Sequence, residues 1–291
     1  MKRLRLSAIV LLAAFLTVGS TALASTGTKV CVPSGEDKAL VTPKKGGCKA
    51  HYALKEFGAE GEGSTGEAGL TAEETALLKK VLPHVTYIAS GVGGKPTIQI
   101  SAVNVQIVNG EGKTASVNGE GNLVIGYDEN EGAEQTGSHD LILGEQQTFT
   151  SYGGILAGWG NDISAPFASV SGGKSNTASG DYASVSGGFA NDASGAEASI
   201  SGGGRNDASD TEASVSGGVN NAASSIGASV SGGSGNLASG PEASVSGGSE
   251  NDASGEFASV SGGERNTASG LAASIFGGTE LEATEPFEAI P

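Results

Sequence analysis

The stretch Ala168-Ser169-Val170-Ser171-Gly172-Gly173-Lys174-Ser175-Asn176-Thr177-Ala178-Ser179-Gly180-Asp181-Tyr182 decides the fold, because its pattern recurs at a fixed fifteen-residue spacing through Phe287 without an insertion. One column of the repeat is Val170, Val185, Ile200, Val215, Val230, Val245, Val260 and Ile275. Another is Asn176, Asn191, Asn206, Asn221, Asn236, Asn251 and Asn266, and Leu281 ends it. A unit this short cannot bury an apolar face alone, so it is stable only when stacked on copies of itself. It is also too short, and too rich in Gly, Ser and Asn, for a helical hairpin. In Ala168-Ser169-Val170-Ser171 apolar and hydroxyl side chains alternate, as in a half-buried strand. Gly172 and Gly173 then turn the chain by supplying positive φ or close backbone approach. A second strand follows around Ala178, whose column runs through Ala193, Ala208, Ala223, Ala238, Ala253, Ala268 and Ala283 and reaches back to Ile163.

The fold class is therefore all-β: a parallel β-roll, or β-solenoid, of about fifteen-residue rungs whose core sets a Val/Ile column against an Ala column. At about 4.8 Å per strand, eight rungs make a rod on the order of 40 Å long. The Asn column is expected at a turn, its stacked amides bonding backbone groups and one another. One Val and one Ala per rung bury too little apolar surface to offset the ordering of the whole rung. A further face is therefore expected to be covered by another chain, in a homotrimer.

Degenerate rungs occupy 120–167 ahead of the regular repeats at 168–287. Leu123-Val124-Ile125-Gly126, Leu141-Ile142-Leu143-Gly144 and Ile155-Leu156-Ala157-Gly158 share the strand-then-glycine form and are more apolar than later rungs, so the best-packed core is expected there. The extra residues Asp128 to Glu134 form a loop pushed out of the stack. Phe276, Leu281, Glu282, Glu285, Pro286 and Pro291 depart from the repeat as a terminal capping rung does, and 288–291 form a tail.

Upstream, 84–119 reads as a β cap, with strands at Thr97–Ile100 and Val103–Ile107 and turns at Asn109-Gly110 and Asn118-Gly119. Thr71 and Glu74 form a capping box for a helix within 70–83 that runs to about Leu82 and stops at Pro83. Its Leu77, Leu78, Val81 and Leu82 suit either a short trimeric neck or a lid on the open end of the roll. Segment 25–69 holds Cys31 and Cys48 and an acidic, Gly-rich linker from Glu56 to Gly69. In an oxidising compartment the two cysteines pair as a disulfide; free or intermolecular thiols are the alternative. Met1 to Ala24 has a basic start, an apolar run from Leu6 to Val18 and a small-residue cleavage site, which is the form of a secretory signal peptide. No other membrane span is expected, and the localisation is secreted or cell-surface. Removing Lys2, Arg3 and Arg5 leaves 13 basic residues of the original 16 against 32 acidic, a net charge of −19. Such a surface repels nucleic acid and anionic lipid.

The repeat resembles the head repeats of trimeric autotransporter adhesins of the Yersinia-adhesin type, with Leu123-Val124-Ile125-Gly126 the nearest local match. The run from Val103 through Gly144 into the Ser-Val-Ser-Gly-Gly units resembles a group of uncharacterised exported bacterial repeat proteins. The resemblance implies a left-handed, trimeric parallel β-roll that binds host matrix proteins or other cells. Ser171 and its equivalents replace an apolar residue of the adhesin strand. No membrane barrel follows Pro291 in this sequence, so neither self-export nor outer-membrane anchoring is expected.

Candidate sites are few. His139-Asp140 among many serines invites a catalytic-triad reading, but no nucleophile elbow accompanies it and no enzymatic activity is expected. Asp128, Glu129, Glu131 and Glu134 are a weak calcium candidate, since their spacing matches no calcium loop. Asp192, Asp207 and Asp252 recur after the Asn, but Thr177, Ala222, Leu237 and Thr267 replace them elsewhere, which defeats a calcium-repeat reading. No cofactor is expected. The hydroxyl columns of Ser169 and Ser171 suit close strand approach, with ice or glycan binding as the alternative. Tyr182, Phe189, Phe257 and Trp159 either form a partner-binding face or seal the trimer. The expected function is a structural or adhesive repeat protein with an extracellular protein or glycan ligand.

Overall fold

The structure, a computed structural model, describes residues 28–33, 52–57 and 70–291. It comprises two compact units, Met1–Val105 and Gln106–Pro291. The expected leader and Cys48 lie outside the described residues, so the proposed Cys31–Cys48 pairing does too.

In the first unit β1 (Thr28–Pro33) pairs antiparallel with β2 (Tyr52–Phe57), Cys31 lying opposite Leu54. Glu56 and Phe57 thus belong to a strand, and the expected linker starts later than Glu56. Helix α1 (Ala72–Val81) begins where the capping box places it: Thr71 Oγ1 accepts the Glu74 N–H at 3.1 Å and Glu74 Oε2 accepts the Thr71 N–H at 2.7 Å. Pro83 falls in a 3₁₀ turn, Leu82–His84, that ends it. β3 (Val85–Ile88) then pairs antiparallel with β4 (Thr97–Ile100). The strand expected at Val103–Ile107 does not form. Ala102 takes a left-handed φ of 58° directly after the last rung of that hairpin, and the residues beyond it run exposed without a ladder partner. Alternation marks a strand-competent segment, but β4 is already paired with Val85–Ile88.

The second unit is a parallel β-solenoid. Its strands begin with β5 (Leu123–Ile125), β6 (Leu141–Glu145), β7 (Thr148–Phe149), β8 (Ile155–Trp159) and β9 (Asp162–Ile163). From β10 (Ser169–Val170) and β11 (Thr177–Ala178) a pair recurs every rung as far as β25 (Glu282–Ala283) and β26 (Ala289–Ile290). One sheet of 12 strands carries the Val column and one of 10 carries the Ala column. Register is strict: Val170 lies beside Val185 and Ala178 beside Ala193. A third ladder of single bridges joins Trp159, Lys174, Phe189, Gly204 and Val219 and continues to Thr279.

The interior of a regular rung is filled by the chain itself. Ala168, Val170, Asn176 and Ala178 are all 0 % exposed. Counterparts of these four columns stay at 1 % or less through Ala273. No core face of a regular rung remains for a second chain to cover, because Ala168 and Asn176 point inward beside Val170 and Ala178. Any partner must meet the outward faces.

The paired glycines divide the labour. A Cβ on Gly173, whose φ is +85°, would run into the carbonyl oxygen of Gly188, whereas Gly172 has only a distant neighbour at 3.8 Å. Only the second glycine of the pair is required by the turn and by the close stacking of the next rung.

The first rung is open rather than best packed. Val124 is 44 % exposed although its register partner Ile142 is 0 % exposed. Two causes act together. β5 is the edge strand of its sheet, and the residue bridged to Phe149 at that level is Gln135, whose amide turns to Asp128 Oδ2 and the Gln147 carbonyl. The core proper starts one rung later, with Ile142, Phe149, Leu156 and Ile163. At the far end Leu281 takes the Asn place and closes the column.

Candidate functional site

Three kinds of position carry chemistry in each rung: the buried Asn, the outward side chains of the Ala sheet, and the two edges where the chain passes between sheets. The Asn column is structural. Asn191 Nδ2 donates to the carbonyls of Gly187, at 3.0 Å, and Gly203, at 3.1 Å, while its Oδ1 accepts the Asn206 N–H at 3.0 Å. The amide thus closes its own turn and holds the next. The ladder begins earlier than Asn176. Gln147 and Asn161 occupy the same place in the degenerate rungs, with Gln147 Oε1 accepting the Asn161 N–H at 3.0 Å and Asn161 Oδ1 that of Asn176 at 2.8 Å. Counting back one rung from Asn176 and a shortened one from Asn161 finds both.

The acidic loop does not gather as a metal site. Among the described residues no three His, Cys, Asp or Glu side chains come together as metal ligands would. Asp128 Oδ2 instead accepts from Gln135 Nε2 at 2.8 Å, and Asn130 Oδ1 accepts the Gly132 N–H at 2.8 Å. The weak calcium candidate Asp128, Glu129, Glu131 and Glu134 is therefore a set of separate carboxylates.

His139 is engaged on both ring nitrogens. Nε2 accepts the Asn109 N–H at 3.1 Å, which leaves Nδ1 to donate to the Thr114 carbonyl at 3.2 Å. Neither nitrogen is free to activate a serine hydroxyl. Beside it Asp140 is buried among the first closed rungs; Oδ1 accepts the Gly154 N–H at 2.8 Å and Oδ2 has no partner. Burial pushes its carboxyl up to about 6, against the pull of the Gly154 and Gly153 N–H groups and of His139.

Asp162, Asp192, Asp207 and Asp252 project from the outer face of the Ala sheet. Asp192 and Asp207 are register partners. Partial burial lifts all four above the ordinary carboxylate range; the charge of Asp192 adds to the effect at Asp162, and that of Asp207 adds to it at Asp192. The serine columns differ from each other: Ser169 is half-buried within its strand and Ser171 is exposed.

The two edges vary most in sequence while their backbone stays constant. On one edge Ser175, Ala190, Arg205, Asn220, Glu250, Arg265 and Glu280 all hold φ near +55°. On the other, Phe167, Tyr182, Glu197, Glu212, Glu242, Phe257 and Phe287 do the same. Inter-rung bonds fix both: the Ala190 N–H donates to the Lys174 carbonyl at 3.0 Å and the Tyr182 N–H to the Pro166 carbonyl at 2.9 Å. Large apolar side chains sit exposed on these edges, Trp159, Phe189 and Val219 on the first and Phe167, Tyr182, Ile226 and Phe257 on the second. The three basic residues of the regular rungs, Lys174, Arg205 and Arg265, are confined to the first edge, where Arg265 also meets Glu250, Glu264 and Glu280 of its own chain. Lys174 Nζ sits 4.1 Å from the Trp159 ring centre and the Arg205 guanidinium 5.6 Å from that of Phe189. The second edge carries Asp181, Glu197, Asp210, Glu212, Glu242 and Glu256 and no cation. Its rings stack on one another instead, Phe167 on Tyr182 at 5.2 Å between centres.

No protein-family model matches the chain, and no curated protein is similar to it.

Proposed function

We propose that this chain is an exported, non-enzymatic structural and adhesive rod, homotrimeric, that displays its two edges to an extracellular protein or glycan. One observation carries the reading: the inward columns barely change from rung to rung, while the edge positions change at almost every rung and keep one backbone conformation. A scaffold that holds its interior fixed and varies its rim is built for presentation. Exposed rings at Tyr182 and Phe257 suit contact with a partner. The leader-like start and the acidic balance favour export and solubility. Adsorption of purified residues 25–291 to matrix proteins, glycan arrays and whole cells tests adhesion. Binding weakened by Tyr182→Ala and Phe257→Ala supports it, and no retention on any of these surfaces removes it. Light scattering on the same sample tests the trimer.

A further inference from the structure

We infer that the second edge is a docking strip for an extended, arginine-bearing protein segment; this rests on the adhesive reading above and names the chemistry of its partner. The rings of this edge lack the cations that cover those of the first. On the first edge Trp159 and Phe189 each carry a cation of their own chain, Lys174 over the one and Arg205 over the other. On the second, Tyr182 lies on Phe167 by one face, and one rung further on comes Glu197, whose N–H donates to the Asp181 carbonyl at 2.8 Å. No cation of the described residues lies over Tyr182 or Phe257, which are 59 % and 48 % exposed.

The carboxylates beside these rings lack cations as well. Asp181 and Glu197 adjoin Tyr182, and Glu242 and Glu256 adjoin Phe257, whose N–H donates to the Pro241 carbonyl at 2.9 Å. All four are exposed, and no ion pair joins any of them to a cation of the described residues. An open ring face beside a carboxylate is what a guanidinium satisfies in one contact, by stacking and by charge. Two such stations on one edge select an extended chain over a small cation. Tyr182 and Phe257 lie five rungs apart, which at about 4.8 Å per rung is about 24 Å, the reach of about seven residues of extended chain. The acidic balance of the whole chain draws a basic partner from a distance and repels an acidic glycan.

Fluorescence anisotropy with labelled deca-arginine and deca-lysine, which are equal in charge, tests this on residues 25–291 at about 0.15 M salt, where exposed charges are screened beyond about 8 Å. Deca-arginine is expected to bind about fivefold more tightly than deca-lysine, because the rings favour guanidinium. Tyr182→Leu with Phe257→Leu is expected to abolish that preference while circular dichroism stays unchanged. If this pair does not fold, Phe257→Leu alone is expected to narrow it. Glu197→Gln with Glu242→Gln is expected to weaken both peptides by about tenfold, and Glu129→Gln with Glu131→Gln, the same loss of charge in the acidic loop, by less than about twofold. No binding, equal affinity for the two peptides, or equal weakening by the two carboxylate pairs overturns the inference. Adhesion of the same sample to cells or matrix proteins without any arginine preference overturns it too, and leaves the adhesive reading standing.

Discussion

Asn176 Oδ1 accepts the backbone N–H of Asn191 at 3.0 Å, one rung away, while Asn176 Nδ2 reaches the carbonyls of Gly172 and Gly188 at 3.3 and 3.1 Å. A single buried amide thereby serves three backbone groups in two rungs. That arrangement matters in a rung with a small apolar core, since each group left unpaired in the interior would cost about 1–3 kcal/mol.

Asn221→Ala is therefore expected to be among the most damaging substitutions in the rod. It leaves the Asn236 N–H without its acceptor and the Gly217 carbonyl without its donor, and the Gly233 carbonyl keeps the Val219 N–H alone. A loss on the order of 3 kcal/mol or more in urea unfolding is expected. An unchanged midpoint would mean that water replaces the amide and that the column contributes little.

Gly218→Ala and Gly217→Ala, neighbours in sequence, are expected to differ sharply. The first sits at φ +86° and its new Cβ would strike the Gly233 carbonyl oxygen; the second has open space around it. Circular dichroism melts should show Gly218→Ala strongly destabilised and Gly217→Ala within about 1 kcal/mol of wild type. Equal effects would refute the division of roles within the pair.

How much of the rod is legible in its sequence can be read off particular residues. Alternation and the narrow choice of residue at their columns place Val170 and Ala178 inward. Asn176 is visible as a ladder at a turn whose amides bond backbone groups, but its complete burial is not, and the carbonyls of Gly172 and Gly188 around it explain that. The positive φ at Ser175 and Tyr182 has little sequence signal, because Ser, Ala, Arg, Asn, Glu and a single regular-rung Gly occupy the first column and Phe, Tyr, Glu, Ala and a single Gly the second; inter-rung hydrogen bonds impose it. Val124 misleads for a related reason: its own residue type is apolar, and its exposure is set by Gln135 across the rung and by the position of β5 at the edge of its sheet.

Ala190→Gly is expected to stabilise the rod. Ala190 holds φ at 54°, where a Cβ is strained, and the structure accepts glycine at the equivalent Gly235. Relief of that strain is worth about 1 kcal/mol, less the greater flexibility of glycine in the unfolded chain. A rise in midpoint checks it, and Ala193→Gly, inside a strand, should move the opposite way.

Stability is expected to increase as pH falls from 7 toward 5. Asp140 is raised to about 6 from an ordinary value of 3.8, chiefly by burial, and Asp162, Asp192, Asp207 and Asp252 are raised in the same direction. A carboxyl whose folded value lies above its unfolded one binds its proton more tightly when folded. Its contribution is therefore complete below the unfolded value and is lost as pH rises through the folded one. For Asp140 that window runs from 3.8 to about 6, and at neutral pH the ionised group sits buried with Oδ2 unpartnered. Asp140→Asn keeps an Oδ1 acceptor for the Gly154 N–H and removes the charge. It should raise stability at pH 7 by on the order of 2 kcal/mol, since each tenfold change in proton affinity is worth about 1.4 kcal/mol before solvent screening reduces it. It should also flatten the pH dependence between 5 and 7. Thermal melts of the two proteins across that range decide the matter: parallel curves would show that another group controls the response, and a wild type that weakens on acidification would show that protonating Asp140 is not what stabilises the first closed rungs.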